Sequence, residues 1–239
     1  MRGSVALLPL LALAATALPG PVPASAQASP EAAESQPPPP SPAPETATVS
    51  GFAQMVRYGR TAARARNPQS GSISAILSDP FALDGRRARF PAGQQHIMLI
   101  DLDPAGGTLV PPATPERQQG LILGFAVLRE PRIAIRWISD LPVEEAGRLR
   151  TALELSGLDP RDEDIISLRP ESQARRQEHR ENLAKTACIT AIGGDERADF
   201  DERFRYLKNP AAGADLDKVI GDGWFLIDPV FPVDGEKTK

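Results

Sequence analysis

Short apolar runs separated by longer amphipathic stretches set the pattern of the chain from residue 71 onward. Five runs carry it: ISAILSDPFAL at 73–83, interrupted by Asp79 and Pro80; HIMLIDLD at 96–103; RIAIRWIS at 132–139; DEDIISLRP at 162–170; and TACITAIGGD at 186–195. The last four are short, apolar in the middle and bounded by polar, Gly or Pro residues, which predicts strands. Between them the period changes. In DLPVEEAGRLRTALELSG, residues 140–157, Ala146, Leu149 and Leu153 recur at three and four, Asp140 is the expected N-cap, Pro142 lies in the first turn and Gly157 closes the helix. A very polar helix is expected over 171–185, and residues 112–131 leave room for one more. Strands and helices in alternation predict βαβ units, hence an α/β fold: a three-layer sandwich with a mainly parallel sheet and helices on both faces.

The N-terminal part follows a different rule. Arg2, an apolar stretch at 4–18 and the small residues ASAQA at 24–28 read as a signal peptide over residues 1–28, with cleavage after Ala26 or Ala28. Its apolar run is shorter than the roughly 20 residues needed to span a bilayer. Residues 29–48 hold seven prolines and no aromatic side chain, the composition of an extended, disordered linker. That leaves 49–239 as one domain of ordinary size, expected to be periplasmic or secreted without stable membrane insertion. A single cysteine, Cys188, excludes an intrachain disulfide, and a net charge of −4 gives no electrostatic footprint for nucleic acid.

Chemistry enters at the strand ends. Ligands of parallel α/β sheets bind outside the carboxyl ends of the strands. Three predicted strands end there on Asp101 with Asp103, on Ser139, and on Asp195 with Asp199 just beyond. Carboxylates at the end of an apolar run need a cation, a proton or hydrogen-bond donors to offset their desolvation. Four of them with a hydroxyl make an oxygen-rich site of the kind that takes Mg²⁺ and a phosphate.

The same residues carry a resemblance. IMLIDLD resembles the hhhhDxD motif of the haloacid dehalogenase superfamily of phosphohydrolases, and IRWISDLP resembles its second motif, a strand ending in Ser or Thr. ITAIGGDERADFDERF, residues 189–204, is similar to the GDxxxDF motif of the secreted class B/C acid phosphatases within it. FAQMVRYGRTAA at 52–63 and FRYLKNPAAG at 204–213 are similar to flanking segments of those enzymes, so the resemblance spans most of 51–232. It implies a Mg²⁺-dependent phosphomonoesterase acting on a small phosphomonoester through an aspartyl-phosphate intermediate. Asp101 would be the nucleophile, Asp103 the general acid and base, and Ser139 a donor to the phosphoryl group. Asp101, the Asp103 carbonyl and Asp195 would hold Mg²⁺, with Asp199 beside them.

The chain departs from that pattern in three places. Pro104 removes a backbone N–H from the loop after the first motif, where Gly106 and Gly107 follow. The segment between Asp103 and Ser139 is short, so the cap over the site is reduced. The lysine of the third motif falls on Gln173, leaving Arg175 or Arg176 to supply the charge; adjacent helical residues project about 100° apart, so only one of them can face the site. These losses keep a second reading open, a catalytically impaired relative that binds a metal or a phosphorylated ligand without hydrolysis. Elsewhere, His96 is expected at a solvated edge or cap, His179 on a helix surface, Cys188 buried and inert, and Trp137 and Trp224 in the core or at its rim.

Overall fold

A computed structural model describes residues 50–65, 71–79, 81–91, 93–168 and 175–232. The expected signal peptide and linker, and Gln173, lie outside the described residues. Helix α1 (Gly51–Arg64) opens the described chain, and strand β1 (Ser72–Leu77) after it pairs antiparallel with β2 (Arg87–Phe90). The main sheet comprises β3 (His96–Asp101), β4 (Ala134–Ser139), β5 (Ile165–Leu168), β6 (Cys188–Gly194) and β7 (Trp224–Leu226). Between these strands run α2 (Gln119–Arg129), α3 (Ala146–Ser156), α4 (Arg176–Ala184) and the short α5 (Ala214–Asp217).

The five strands are all parallel and lie in the order β5-β4-β3-β6-β7. From β3 the chain steps outward through β4 to β5, then returns to the other side of β3 with β6. The order reverses between β3 and β6, the place where an open α/β sheet leaves a crevice.

Alternation along the strands builds two cores, because successive side chains of a strand point to opposite faces. Met98, Ile100, Ile135 and Trp137 face Met55 of α1, Phe125 and Leu128 of α2, and Leu149 and Leu153 of α3. Phe52, Phe125 and Trp137 meet edge to face, with ring centroids 5.0 and 4.9 Å apart. Ile97, Leu99, Ile138 and Ile192 face Ala75 and Leu77 of β1, Ala184 of α4 and Leu216 of α5. The result is the three-layer α/β sandwich that the sequence predicts. Cys188, Trp137 and Trp224 are all buried.

Differences from expectation have local causes. Asp140 does not cap α3: the helix is entered through a tight 3₁₀ turn at Val143–Glu145, and Asp140 turns toward the sheet edge instead. Gly157 does close it, with φ +80° and the Leu158 N–H returning to the Leu153 carbonyl at 3.0 Å. His96 is buried rather than solvated. Its Nδ1 lies 2.8 Å from Thr190 Oγ1 and its Nε2 3.2 Å from Ser72 Oγ, which ties β3 to β6 and to the hairpin. His179 is half-buried, and burial lowers its pKa. Asp164, buried before β5, accepts from Trp137 Nε1 at 3.1 Å and pairs with Arg129, joining α2 to the sheet. Among the described residues no helix is long and apolar enough to cross a membrane.

Phe125 is fully buried between α1 and the Trp137 ring. Phe125→Ala should therefore cost about 3–5 kcal/mol of stability, read as a lower midpoint in urea unfolding at unchanged slope.

Candidate functional site

The carboxyl edge of β3, β4 and β6 carries Asp101, Asp103, Ser139, Asp195 and Asp199, and Arg176 reaches it from α4. Asp101 is the last residue of β3, Ser139 the last of β4, and Asp195 follows β6 directly. Asp199 ends a 3₁₀ turn at Arg197–Asp199, and Arg176 is the first residue of α4. Asp140, which the sequence reading assigned to a helix cap, joins them.

Arg176 sits in the middle. Its Nε donates to Asp140 Oδ2 at 2.8 Å, its Nη1 lies 3.4 Å from Asp101 Oδ2 and 3.3 Å from Asp199 Oδ1, and its Nη2 donates to Asp103 Oδ2. Four carboxylates thus share one guanidinium. The side chains of Asp101, Asp103 and Asp199 are at most 1% exposed, and that of Arg176 is 9% exposed. The neighbouring arginine points elsewhere: Arg175 is 78% exposed and pairs with Glu202 at 3.2 Å. Of the two candidates it is therefore Arg176 that faces the site.

Asp103 is held from four sides. Leu109 N (2.9 Å) and Ser139 Oγ (2.6 Å) donate to Oδ1, while Asp140 N (2.7 Å) and Arg176 Nη2 donate to Oδ2. An ionised carboxyl group offers about four lone-pair sites, and here four donors fill them. Ser139 is likewise engaged, since its Oγ also accepts from Leu141 N at 3.1 Å. Asp101 Oδ1 accepts from Asp103 N at 3.0 Å, and Asp199 Oδ2 from Glu196 N at 3.0 Å. Asp195 Oδ2 accepts from Ala105 N at 2.9 Å, but its Oδ1 is buried without a hydrogen-bond partner. The glycine pair ahead of Asp195 is a packing requirement: a Cβ on Gly194 would stand 2.5 Å from Asp199 Oδ2, and one on Gly193 2.8 Å from Met55 Sδ.

Excess negative charge in a buried place governs the titration. Burial, and then the neighbouring carboxylates Asp199 and Asp103, push Asp101 well above the ordinary carboxylate range. Burial likewise raises Asp199 to about 7 and raises Asp195. Burial opposes the charge on Arg176, but Asp101, Asp103 and Asp140 outweigh it and hold the guanidinium above its usual pKa. A second arginine lies one turn along α4. Arg180 is fully buried; Nη2 donates to Gln177 Oε1 at 3.0 Å, while Nε and Nη1 have no partner. Nothing in the local sequence marks Arg180, because a fully buried arginine in so polar a helix leaves no periodic signal.

The donor set suits a hard divalent cation. Asp195 keeps a buried oxygen without a donor, four carboxylates surround one guanidinium, and all candidate ligands are oxygens. Among the described residues no three His, Cys, Asp or Glu side chains are grouped to hold a metal ion. Mg²⁺, however, takes only one or two carboxylates and keeps several waters. A Mg²⁺ ion at this edge would therefore draw on one or two of these carboxylates and on water.

No protein-family model matches this chain, and no curated protein matches it. Among solved structures, the class C acid phosphatase from Bacillus anthracis with tungstate bound is similar at a TM-score of 0.45 and 16% identity, over 58% of this chain and 68% of that one. A likeness of that strength assigns neither a family nor an activity; the fold class rests on the chain's own five-stranded parallel sheet and its flanking helices.

Since Asp199 is raised to about 7, its proton is held more tightly in the fold than in the unfolded chain. The stability this contributes is fully present below the unfolded pKa and is lost as pH rises through about 7. In metal-free buffer the melting temperature should fall between pH 5 and pH 8, by less in Asp199→Asn, as followed by circular dichroism.

Proposed function

We propose that the β3/β6 crevice handles a phosphoryl group as an acid phosphatase does, with Asp101 as nucleophile and Mg²⁺ as the cation that completes the site. The observation that carries this reading is the placement of Asp101. It ends the central strand where the sheet order reverses, its Oδ1 is fixed by Asp103 N, and its Oδ2 faces the guanidinium of Arg176. One oxygen anchored and the other beside a cation suits a carboxylate nucleophile, which attacks in its ionised form and needs positive charge nearby both to keep that form when buried and to offset repulsion from the phosphoryl oxygens. Asp101, Asp195 and the Asp103 carbonyl would hold Mg²⁺, which when bound neutralises phosphoryl charge. Arg176, through its pairs with Asp101 and Asp103, would take the charge-balancing place of the lysine missing at Gln173. A small phosphomonoester is the substrate class, and the N-terminal signal expected from the sequence would put the activity in the periplasm or outside the cell.

One observation favours the second reading, binding without hydrolysis. A general acid must carry a proton toward the leaving oxygen, yet both oxygens of Asp103 are taken by Leu109 N, Ser139 Oγ, Asp140 N and Arg176. Pro104 also leaves the following loop one N–H short.

Purified protein with Mg²⁺ should release phosphate from an aryl phosphate at mildly acid pH. Asp101→Asn should lower kcat/KM by about a thousandfold or more, and EDTA should have a comparable effect. If wild type releases no phosphate while Mg²⁺ or inorganic phosphate raises its melting temperature, the binding reading replaces the hydrolytic one. If neither ligand shifts it, both are wrong.

A further inference from the structure

We propose that Asp140 is a positioning residue for Arg176: its carboxylate fixes the plane of the guanidinium and thereby keeps the positive charge on Asp101 and Asp103. This rests on the phosphoryl reading above and deepens it by naming the group that sets the charge balance of that site.

Two anchors are needed to hold a planar group, and the geometry supplies two. Nε, the nitrogen next to the aliphatic stem, donates to Asp140 Oδ2 at 2.8 Å, and Nη2 donates to Asp103 Oδ2. The remaining nitrogen, Nη1, lies 3.4 Å from Asp101 Oδ2 and 3.3 Å from Asp199 Oδ1, both long for charge-assisted bonds, which run at about 2.7–2.9 Å. Without Asp140 the guanidinium would keep one firm anchor, on Asp103, and would be free to pivot about it away from Asp101. With both in place, Nη1 is left facing Asp101 and Asp199.

Asp140 is itself held for this task. Its backbone N donates to Asp103 Oδ2 at 2.7 Å, so one residue grips both members of the pair, Asp103 through its main chain and Arg176 through its side chain. On either side of it, Ser139 Oγ donates to Asp103 Oδ1 and accepts from Leu141 N, which pins the turn that carries it. Arg176, by contrast, is the first residue of α4, a helix that no side chain caps. One position earlier, Arg175 has no contact with Asp140; it is 78% exposed and pairs with Glu202. The Asp140 side chain is 20% exposed, against at most 1% for Asp101, Asp103 and Asp199. Replacing it therefore leaves Arg176 with three carboxylates and strands no buried charge.

The test reads Arg176 directly. In nitrogen–proton correlation spectra of the full chain, the Arg176 Nε–H signal is identified by its absence from Arg176→Lys. Its exchange with solvent is then followed in wild type, Asp140→Ala and Glu202→Gln. Exchange should be at least about tenfold faster in Asp140→Ala than in wild type, while Glu202→Gln, which removes the same charge from the Arg175 pair, should match wild type. Equal exchange in wild type and Asp140→Ala overturns the proposal. In the aryl phosphate assay, Asp140→Ala should lower kcat by about tenfold or more with a smaller change in KM, since the charge it places acts on Asp101 at the chemical step. That loss should not add to the loss in Arg176→Gln, because both remove the same placed charge; additive losses overturn the proposal, since Asp140 would then act by itself. A wild type without activity ends the hydrolytic reading alone, and Nε–H exchange still decides whether Asp140 holds Arg176. Should Asp140→Ala not fold, Asp140→Asn takes its place. A neutral amide accepts more weakly than a carboxylate, so exchange at least about threefold faster supports the proposal and unchanged exchange overturns it.

Discussion

Everything at the carboxyl edge of this sheet depends on one guanidinium among four carboxylates. Asp101, Asp103 and Asp199 are buried, and buried charge is tolerated only when it is paired and hydrogen-bonded. Arg176 supplies the cation, and by doing so it draws together the end of β3, the turn after β4, the turn after β6 and the start of α4. Removing one partner from such a group typically costs about 3–5 kcal/mol, because the charges left behind remain buried. The arrangement is nevertheless short of positive charge. Asp101 and Asp199 both favour their protonated forms, and Asp195 keeps an oxygen with no donor.

Asp103 links the fold to the chemistry. Its four donors come from the loop ahead of α2, from the end of β4 and from α4, so it organises the crevice as a hub of hydrogen bonds. The same four bonds leave neither of its oxygens open to a further donor. Ser139 is in a similar position, since its hydroxyl serves Asp103 and Leu141 rather than an open cavity.

The glycines before Asp195 answer a different constraint. Asp199 folds back over Gly194 within 2.5 Å of where a Cβ would sit, and α1 brings Met55 against Gly193. Backbone approach of this kind lets Asp199 turn back over the strand end to reach Arg176, and it requires the absence of side chains on the strand itself.

The sequence by itself determined the alternation of strands and helices, the parallel sheet, and the identity of the strand-end residues Asp101, Asp103, Ser139, Asp195 and Asp199, because these follow from local period and from the position of polar residues at the ends of apolar runs. Helical geometry let only one of the adjacent Arg175 and Arg176 face that edge. Only the tertiary structure chose Arg176, turned Asp140 from a helix cap into a ligand of that arginine, buried His96 against Thr190 and Ser72, and placed Arg180 beneath the site. Each of those outcomes joins residues far apart in the chain, such as His96 with Thr190 or Arg176 with Asp101. Pairings across such distances leave no mark in local periodicity; they are set by which strands become neighbours and by the need to neutralise charge where those strands end.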